Sequence, residues 1–215
     1  MCNRINRPLY SNTGFSLVEL LMALATSMIV LAAIYSVFTI TNKNITTQNV
    51  TANVQQSLRA AIGLMARDIR LAGLDPVDTD NFGIEYASQT KIRFTQDSID
   101  PGISDFNGVV DETNFEQITY DLQGSQIIQT LYETGASPNA AVLISYIANL
   151  SFAYLDAANN DLIDYALSPP QVPGDKLVDI RSVEISVTIQ EPAGREKPVS
   201  RTLTRKVECR NRGFN

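Results

Sequence analysis

The first third of the chain carries two hydrophobic patterns that follow each other without interruption. Residues 20–42 are 23 consecutive uncharged residues, mostly Leu, Ile, Val, Ala and Met, and about 20 such residues cross a bilayer as a helix. After Lys43 the apolar positions recur every three or four residues, which predicts an amphipathic helix. They are Val50, Val54, Leu58, Ala61, Met65, Ile69 and Ala72. Gly73 and Pro76 then stand in the order that usually ends a helix, so we expect one helix over about 16–72.

A helix of this kind needs two environments. Its first half is apolar all round and would lie in lipid, while its second half would pack one face on a globular domain. Gly63 lies inside the packed half. A glycine at that position either allows another element to approach closely or only weakens the helix, and the sequence leaves both readings open.

Beyond Pro76 the pattern changes to alternation of apolar and polar residues, which is typical of β-strands. Six stretches show this alternation, at 91–96, 116–122, 125–133, 141–156, 178–190 and 199–208. Turn-forming residues at 121–126 and 191–198 predict hairpins. Since consecutive hairpins favour antiparallel sheets, the expected fold class is α+β, a long N-terminal helix packed on an antiparallel β-sheet head.

The residues before the apolar run predict its orientation in a membrane. Segment 1–14 contains Arg4 and Arg7 and no acidic residue, and basic flanking residues stay on the cytoplasmic side. The chain after Lys43 would then lie outside the cytoplasm, an N-in, C-out arrangement. Cys2 and Cys209 would lie on opposite sides of the membrane, which argues against a disulfide between them.

Glu19 is the unusual residue at the start of the apolar run. A carboxylate at the centre of a membrane helix costs about 2.5 to 3.5 kcal/mol and usually has a function; near the membrane edge the cost is smaller. A cleaved secretory signal would have a shorter apolar run and a small-residue cleavage site. A plain signal anchor fits the length but leaves Gly14 and Glu19 without a role.

A resemblance supplies the third explanation. The stretch Gly14-Phe15-Ser16-Leu17-Val18-Glu19 resembles the class III signal of type IV prepilins and type II secretion pseudopilins. The resemblance implies that a prepilin peptidase cleaves between Gly14 and Phe15 and N-methylates Phe15. The mature chain would have 201 residues, which is 215 minus 14. Glu19 would occupy the fifth mature position, where the family carries its glutamate.

Physical chemistry gives such a glutamate a use in assembly. A buried carboxylate is tolerated when a cation pairs with it. The freed α-amine of Phe15 in an adjacent subunit would be such a cation at the same depth. Pairing would favour one axial stagger between subunits, as a buried polar residue sets the register of a coiled coil. We therefore interpret Glu19 as a residue of subunit assembly.

The head also resembles one branch of this superfamily. The stretches "SLRAAIGLMARDIRLAGLDP", "ITYDLQGSQIIQTLYE" and "TRKVECRNRG" are similar to the PilW-type minor pilins, which are related to the type II secretion pseudopilin J. The resemblance implies a low-abundance subunit that primes or caps a pilus. It divides the chain into a leader at 1–14, a transmembrane and filament-core helix at 15–42, an amphipathic helix at 43–73 and a β-rich periplasmic head at 74–215.

The resemblance also implies partners and a location. The partners would be the prepilin peptidase, other minor pilins, the major pilin and the inner membrane. Before assembly the chain would be a single-pass inner-membrane protein. Afterwards it would lie on the cell surface in the pilus, at or near its tip.

The composition argues against several other classes of function. The chain has no histidine, which removes Ser-His-Asp and Cys-His nucleophiles and the commonest zinc ligand. Its formal net charge of −6 argues against general binding of nucleic acid, which favours a basic face. We therefore expect no enzyme, no catalytic residue and no cofactor.

Charged residues are unevenly distributed in the head. Residues 75–121 hold eleven acidic and two basic residues, a net −9, whereas residues 195–212 hold seven basic and two acidic residues, a net +5. Opposite patches of this kind can steer contacts between subunits, or can be solvated loops and charge-protected edge strands. Oxygen-rich stretches at 75–85 and 156–164 suit calcium in composition but lack the EF-hand spacing, so ordinary turns are the preferred interpretation and no metal ligand is assigned.

Three other functions remain open on the sequence alone. A pseudopilin of type II secretion, similar to pseudopilin J, differs from a minor pilin only in its partner machine. A pilus-tip binding module or adhesin would need a groove lined by exposed aromatic and basic residues. A membrane-anchored enzyme would need a carboxylate pair or a Ser/Lys arrangement, for which no motif is visible.

Overall fold

The computed structural model describes residues 14–98, 106–111, 115–193 and 197–209. The chain divides into two compact units, Met1–Thr46 and Thr47–Asn215. One helix, α1 (Leu17–Leu71), belongs to both units and is unbroken across their boundary. The expected helix of about 16–72 is therefore confirmed.

The first unit contains the apolar half of α1. An 18-residue window within the helix is long and apolar enough to cross a membrane, and no part of that window is buried. The large side chains from Leu17 to Ile40 are mostly half exposed or more. Several hydroxyl side chains donate hydrogen bonds back to the helix, as Ser27 does to the carbonyl oxygen of Ala23 at 2.7 Å. Their polar atoms are thereby satisfied without water.

The second half of α1 packs on the head through the expected stripe. Of the seven predicted positions, six are buried and Val50 is half-buried against the core. Ile62 and Ala66 widen the buried face. A stripe of this width is typical of a helix that covers a sheet. The amphipathic assignment of this half is confirmed.

The helix ends where the sequence indicates. Gly73 adopts a positive φ of 77°, a conformation that costs glycine little. Its N–H donates to the carbonyl oxygen of Thr95 at 2.9 Å, and the N–H of Asp97 donates to the carbonyl oxygen of Leu74 at 2.8 Å. These two hydrogen bonds attach the end of the helix to the end of a strand.

Eight strands lie in two antiparallel sheets in the described residues. The first sheet has the order β1-β2-β3-β4-β5, with β1 Ile84–Ala87, β2 Lys91–Thr95, β3 Gln117–Gln123, β4 Gln126–Leu131 and β5 Asn139–Ser145. The second has the order β6-β7-β8, with β6 Ile147–Leu155, β7 Ser182–Glu191 and β8 Val199–Glu208. A 3-10 helix, Gly174–Asp179, precedes β7.

The core lies between the buried stripe of α1 and one face of each sheet. Its largest fully buried side chains include Phe94, Tyr120, Phe152, Tyr154 and Met65. In β7 the four alternating apolar residues Val183, Ile185, Val187 and Ile189 are all buried. The α+β fold class is confirmed, with two sheets in the head.

One buried polar group joins the helix to the first sheet. Asp68 on α1 is 4% exposed and accepts a 2.6 Å hydrogen bond from the hydroxyl of Tyr120 on β3. Gln129 on β4 donates to the same hydroxyl oxygen at 3.0 Å. Burial, reinforced by the adjacent Asp68 carboxylate, raises the pKa of Tyr120, so the hydroxyl remains a donor. The stripe of apolar residues does not predict this polar contact.

The structure corrects the sequence prediction in three places. The stretch 141–156 is two strands rather than one, because Tyr146 adopts a positive φ of 61° between β5 and β6. The strand expected from 178 begins at Ser182, since residues 174–179 form the 3-10 helix. Strand β1 was not predicted. The hairpin expected over 191–198 lies partly outside the described residues.

The environment of Gly63 decides between its two readings. A Cβ built at Gly63 meets no atom within 4 Å, so no element of the head requires a glycine at this position. Gly124, in the turn between β3 and β4, also has open space around it. Its φ is 60°, however, a backbone conformation that favours glycine.

We predict that Gly63→Ala raises the free energy of unfolding by about 0.5 to 1 kcal/mol, since alanine restricts the unfolded chain and favours helix. Gly124→Ala is the matched control and should lower it by about 1 to 2 kcal/mol, because alanine is strained at positive φ. Denaturant unfolding of the full chain in detergent, followed by near-UV circular dichroism, measures both. Destabilisation by Gly63→Ala would contradict the open environment.

Candidate functional site at the start of the helix

The residues singled out by sequence lie at the first turn of α1. Gly14 and Phe15 precede the helix and belong to no helix or strand. Phe15 is 87% exposed, and a Cβ built at Gly14 would meet nothing within 4 Å. The Gly14–Phe15 peptide bond therefore lies outside the helix, in backbone that a second protein can reach. Arg4 and Arg7 lie outside the described residues.

Ser16 and Glu19 together cap the helix. The N–H of Ser16 donates to Oε2 of Glu19 at 2.9 Å, and Oγ of Ser16 accepts from the N–H of Val18 at 3.2 Å. The carbonyl oxygen of Ser16 accepts the first helical hydrogen bond, from the N–H of Leu20, at 3.2 Å. This reciprocal pattern is a variant of the capping box, in which a serine and the acid three residues later satisfy backbone N–H groups of the first turn; here the serine accepts from the second helical residue rather than the third.

The capping box gives Glu19 a local role that the sequence interpretation missed. A carboxylate in the first turn is also favoured by the positive end of the helix dipole. The signal was present as Ser-x-x-Glu before an apolar run, which is the sequence signature of this cap. The carboxylate is therefore partly satisfied within its own chain.

One oxygen of the carboxylate remains open. Oε2 accepts the hydrogen bond from Ser16, while Oε1 has no hydrogen-bond partner among the residues that the structure describes. Both residues are solvent-exposed in the isolated chain. The first turn can thus keep its cap and still accept a donor from another molecule. The helix cap is therefore compatible with the assembly contact expected from the sequence.

Around this turn the helix surface is apolar. Leu17, Val18 and Leu20 are 74%, 65% and 61% exposed. Further along, Ala33, Ile34, Val37 and Phe38 continue the exposed apolar surface of α1. Large exposed apolar surfaces on a protein mark contact with lipid or with other proteins.

The two oxygen-rich stretches use their carboxylates locally. In the first, Asp75 accepts from the N–H groups of Thr79 and Asp80 at 2.7 and 2.8 Å. In the second, Asp156 accepts from the side chain and N–H of Asn160, and these hydrogen bonds lower the pKa of Asp156. Such contacts are those of ordinary turns. In the ranges that the structure describes, no group of three or more Cys, Asp or Glu side chains could hold a metal ion.

Cys209 follows β8 and is buried. Its N–H donates to the carbonyl oxygen of Arg181 at 3.0 Å, which continues the pairing of β7 with β8 by one residue. Cys2 lies outside the described residues.

Comparison of the sequence with models of known protein families gives no match. Comparison with curated proteins gives none either.

The capping box makes a prediction for backbone exchange. Glu19→Ala removes the acceptor of the Ser16 N–H, and a lost cap costs about 0.5 to 2 kcal/mol, so we expect amide exchange at Ser16 to accelerate severalfold. Glu19→Gln keeps a side-chain oxygen at the third helical position, so the Ser16 amide should exchange at the wild-type rate. NMR-detected hydrogen exchange in detergent micelles tests both, and equal exchange in all three chains would contradict the cap.

Proposed function

We propose that the chain is a minor pilin, a structural subunit that primes or caps a type IV pilus after cleavage between Gly14 and Phe15. The proposal rests on two features that lie next to each other at the first turn of α1. An accessible Gly14–Phe15 bond stands immediately before an apolar helix, and Glu19 in the first turn of that helix keeps one carboxylate oxygen open.

The two halves of α1 support the proposal. The apolar half has no buried window of its own, so it requires lipid before assembly and other helices afterwards. The second half is buried on the β-rich head. A subunit that moves from a membrane into a helical filament core needs this division between one exposed apolar half and one half fixed to a soluble domain.

Cleavage would convert the first turn into an assembly contact. Removal of residues 1–14 frees the α-amine of Phe15, one residue before Ser16. The capping box survives cleavage because its atoms all belong to Ser16 and later residues. Oε1 of Glu19 would then accept a hydrogen bond from the N-methylated α-amine of Phe15 in an adjacent subunit. The resulting ion pair would offset the cost of placing both charges in an apolar core.

The proposed processing defines partners and location. A prepilin peptidase would cleave and methylate the chain at the cytoplasmic face of the inner membrane, with the head in the periplasm. Other minor pilins and the major pilin would then surround α1. The finished subunit would lie at or near the tip of the pilus. No step requires a cofactor or a catalytic residue of this chain.

Three substitutions at Glu19 and one elsewhere test the assembly role. Glu19→Ala should still be cleaved but should enter pili at least about tenfold less, because breaking a buried ion pair costs about 3 to 5 kcal/mol. Glu19→Gln keeps the cap and loses the charge, so it should fail equally. Glu19→Asp keeps the charge and should recover part of the incorporation. Quantitative immunoblots of sheared pili against total membranes measure the effect.

The matched control is Glu184→Gln, which removes one charge from an exposed position on β7 and should incorporate normally. Normal incorporation of Glu19→Gln, alongside failure of Glu19→Ala, would reduce Glu19 to a helix cap and contradict the ion pair. Normal incorporation of both would contradict any assembly role.

A further inference from the structure

Two acidic side chains of the head are completely buried. Asp97, just after β2, is 1% exposed, and Glu116, just before β3, is 0% exposed. Neither carboxylate forms an ion pair with any residue that the structure describes. Aspartate and glutamate are almost never fully buried unless a positive charge or a metal ion accompanies them. Within the described ranges, these two buried charges therefore lack a counterion.

The carboxylate of Glu116 is fully hydrogen-bonded, but only by neutral groups. Its Oε1 accepts from the N–H and the hydroxyl of Ser98 at 3.0 and 3.2 Å. Its Oε2 accepts from the N–H of Asp111 at 2.7 Å. These donors satisfy both oxygens without compensating the negative charge, so the cost of burying that charge remains.

The carboxylate of Asp97 is only half satisfied. Its Oδ2 accepts from the N–H of Gly108 at 3.1 Å, whereas its Oδ1 is buried and has no hydrogen-bond partner among the described residues. Oε1 of the preceding residue, Gln96, is likewise buried without a partner in that part of the chain. Buried oxygens of native proteins nearly always have a partner, and an exception calls for a bound ion or an ordered water.

Both carboxylates accept hydrogen bonds from the same short segment, residues 106–111. This segment packs tightly against the loop that follows α1. The carbonyl oxygen of Gly108 accepts from the side chains of Thr79 and Asn81 at 3.1 and 3.0 Å. A Cβ built at Gly108 would lie 2.6 Å from a side-chain carbon of Thr79. The backbone that contacts the two carboxylates is therefore fixed in place.

We propose that a calcium ion binds to Oδ1 of Asp97, with Glu116 supplying the second negative charge that balances the ion. Calcium takes about six to eight oxygen ligands, and amide oxygens, backbone carbonyls and water serve beside carboxylates. Gln96 and the backbone of residues 106–111 offer such neutral oxygens. The site uses two carboxylates and lies outside the two oxygen-rich stretches described above. It belongs to the second compact unit and does not depend on the proposed processing.

The site lies beside the junction between α1 and the head. The N–H of Asp97 donates to the carbonyl oxygen of Leu74 at 2.8 Å, three residues after the end of the helix. An ion at Asp97 removes the repulsion between buried negative charges at this junction. Calcium therefore stabilises the folded head and the attachment of α1 to it.

The test measures thermal unfolding of the full chain in detergent micelles, after metal has been removed with a chelator. Weak calcium sites of extracellular modules have a Kd of about 0.1 to 1 mM. Calcium chloride at about 10 mM should then raise the unfolding midpoint by at least about 3 °C, as followed by near-UV circular dichroism. Magnesium chloride at the same concentration and sodium chloride at equal ionic strength should each raise it by less than about 1 °C, since magnesium demands regular octahedral geometry.

Asp97→Asn separates the ion site from a structural role of the same side chain. The amide oxygen still accepts from the Gly108 N–H, but the charge is lost. This variant should lose the calcium response, and without metal it should unfold at or above the wild-type midpoint, because a buried uncompensated charge has been removed. Glu116→Gln is a second variant that should lose the response. Asp78→Asn, at an exposed position, is the matched control and should keep it.

Calorimetric titration of the wild type with calcium chloride provides an independent measurement, and we expect one site per chain. Four outcomes would overturn the proposal. They are no calcium-dependent rise in the wild-type midpoint, an equal rise with magnesium or sodium, an unchanged rise in Asp97→Asn, and a metal-free midpoint of Asp97→Asn below that of the wild type. If Asp97→Asn does not fold, the ion selectivity of the wild type and the response of Glu116→Gln decide in its place.

Discussion

The central constraint on this molecule is that one uninterrupted helix must satisfy two environments. Among the residues that the structure describes, none covers the apolar half of α1 within its own unit, whereas the second half contributes a buried stripe to the core of the head. The head covers residues from about Val50 onward, and the exposed apolar surface before them is of the kind that contacts lipid or other chains.

The first turn is where this constraint is most severe. A carboxylate at the edge of an apolar helix needs hydrogen-bond donors that lipid does not provide. Ser16 supplies one donor through the capping box, which satisfies one oxygen of Glu19 and leaves the other open. Partial satisfaction lets the isolated chain tolerate the charge, while the open oxygen preserves a place for a donor from a neighbour. On the proposed function that donor is the new N-terminus of the adjacent subunit.

The sequence predicted helices and strands best where a single periodicity extended over many residues. The three-and-four spacing of α1 placed the helix and its buried face, and alternation placed β2, β3, β4 and β8 closely. It failed at Tyr146, because a continuous run of strand-forming residues hides one residue with positive φ. Strand β1 was missed since its four residues are too few to establish alternation.

Periodicity alone does not predict contacts between residues that are far apart in the sequence. The hydrogen bond between Asp68 and Tyr120 joins residues 52 apart, and a helix pattern gives no reason to bury an aspartate. The cap formed by Ser16 was predictable in principle, because Ser-x-x-Glu is a local signature. It was missed because the charge of Glu19 alone was interpreted. The cleavage and methylation are implied by the resemblance of residues 14–19 to a class III signal and cannot be derived from periodicity or packing.

The most direct test of the account is the identity of the mature N-terminus. Intact-mass and N-terminal peptide mass spectrometry on the chain from native membranes and sheared pili would measure it. The proposed processing predicts a chain of 201 residues, 215 minus 14, that begins with N-methylated Phe15. A chain that retains residues 1–14 in cells with an active prepilin peptidase would contradict it and would leave Glu19 as a helix cap in an ordinary membrane anchor.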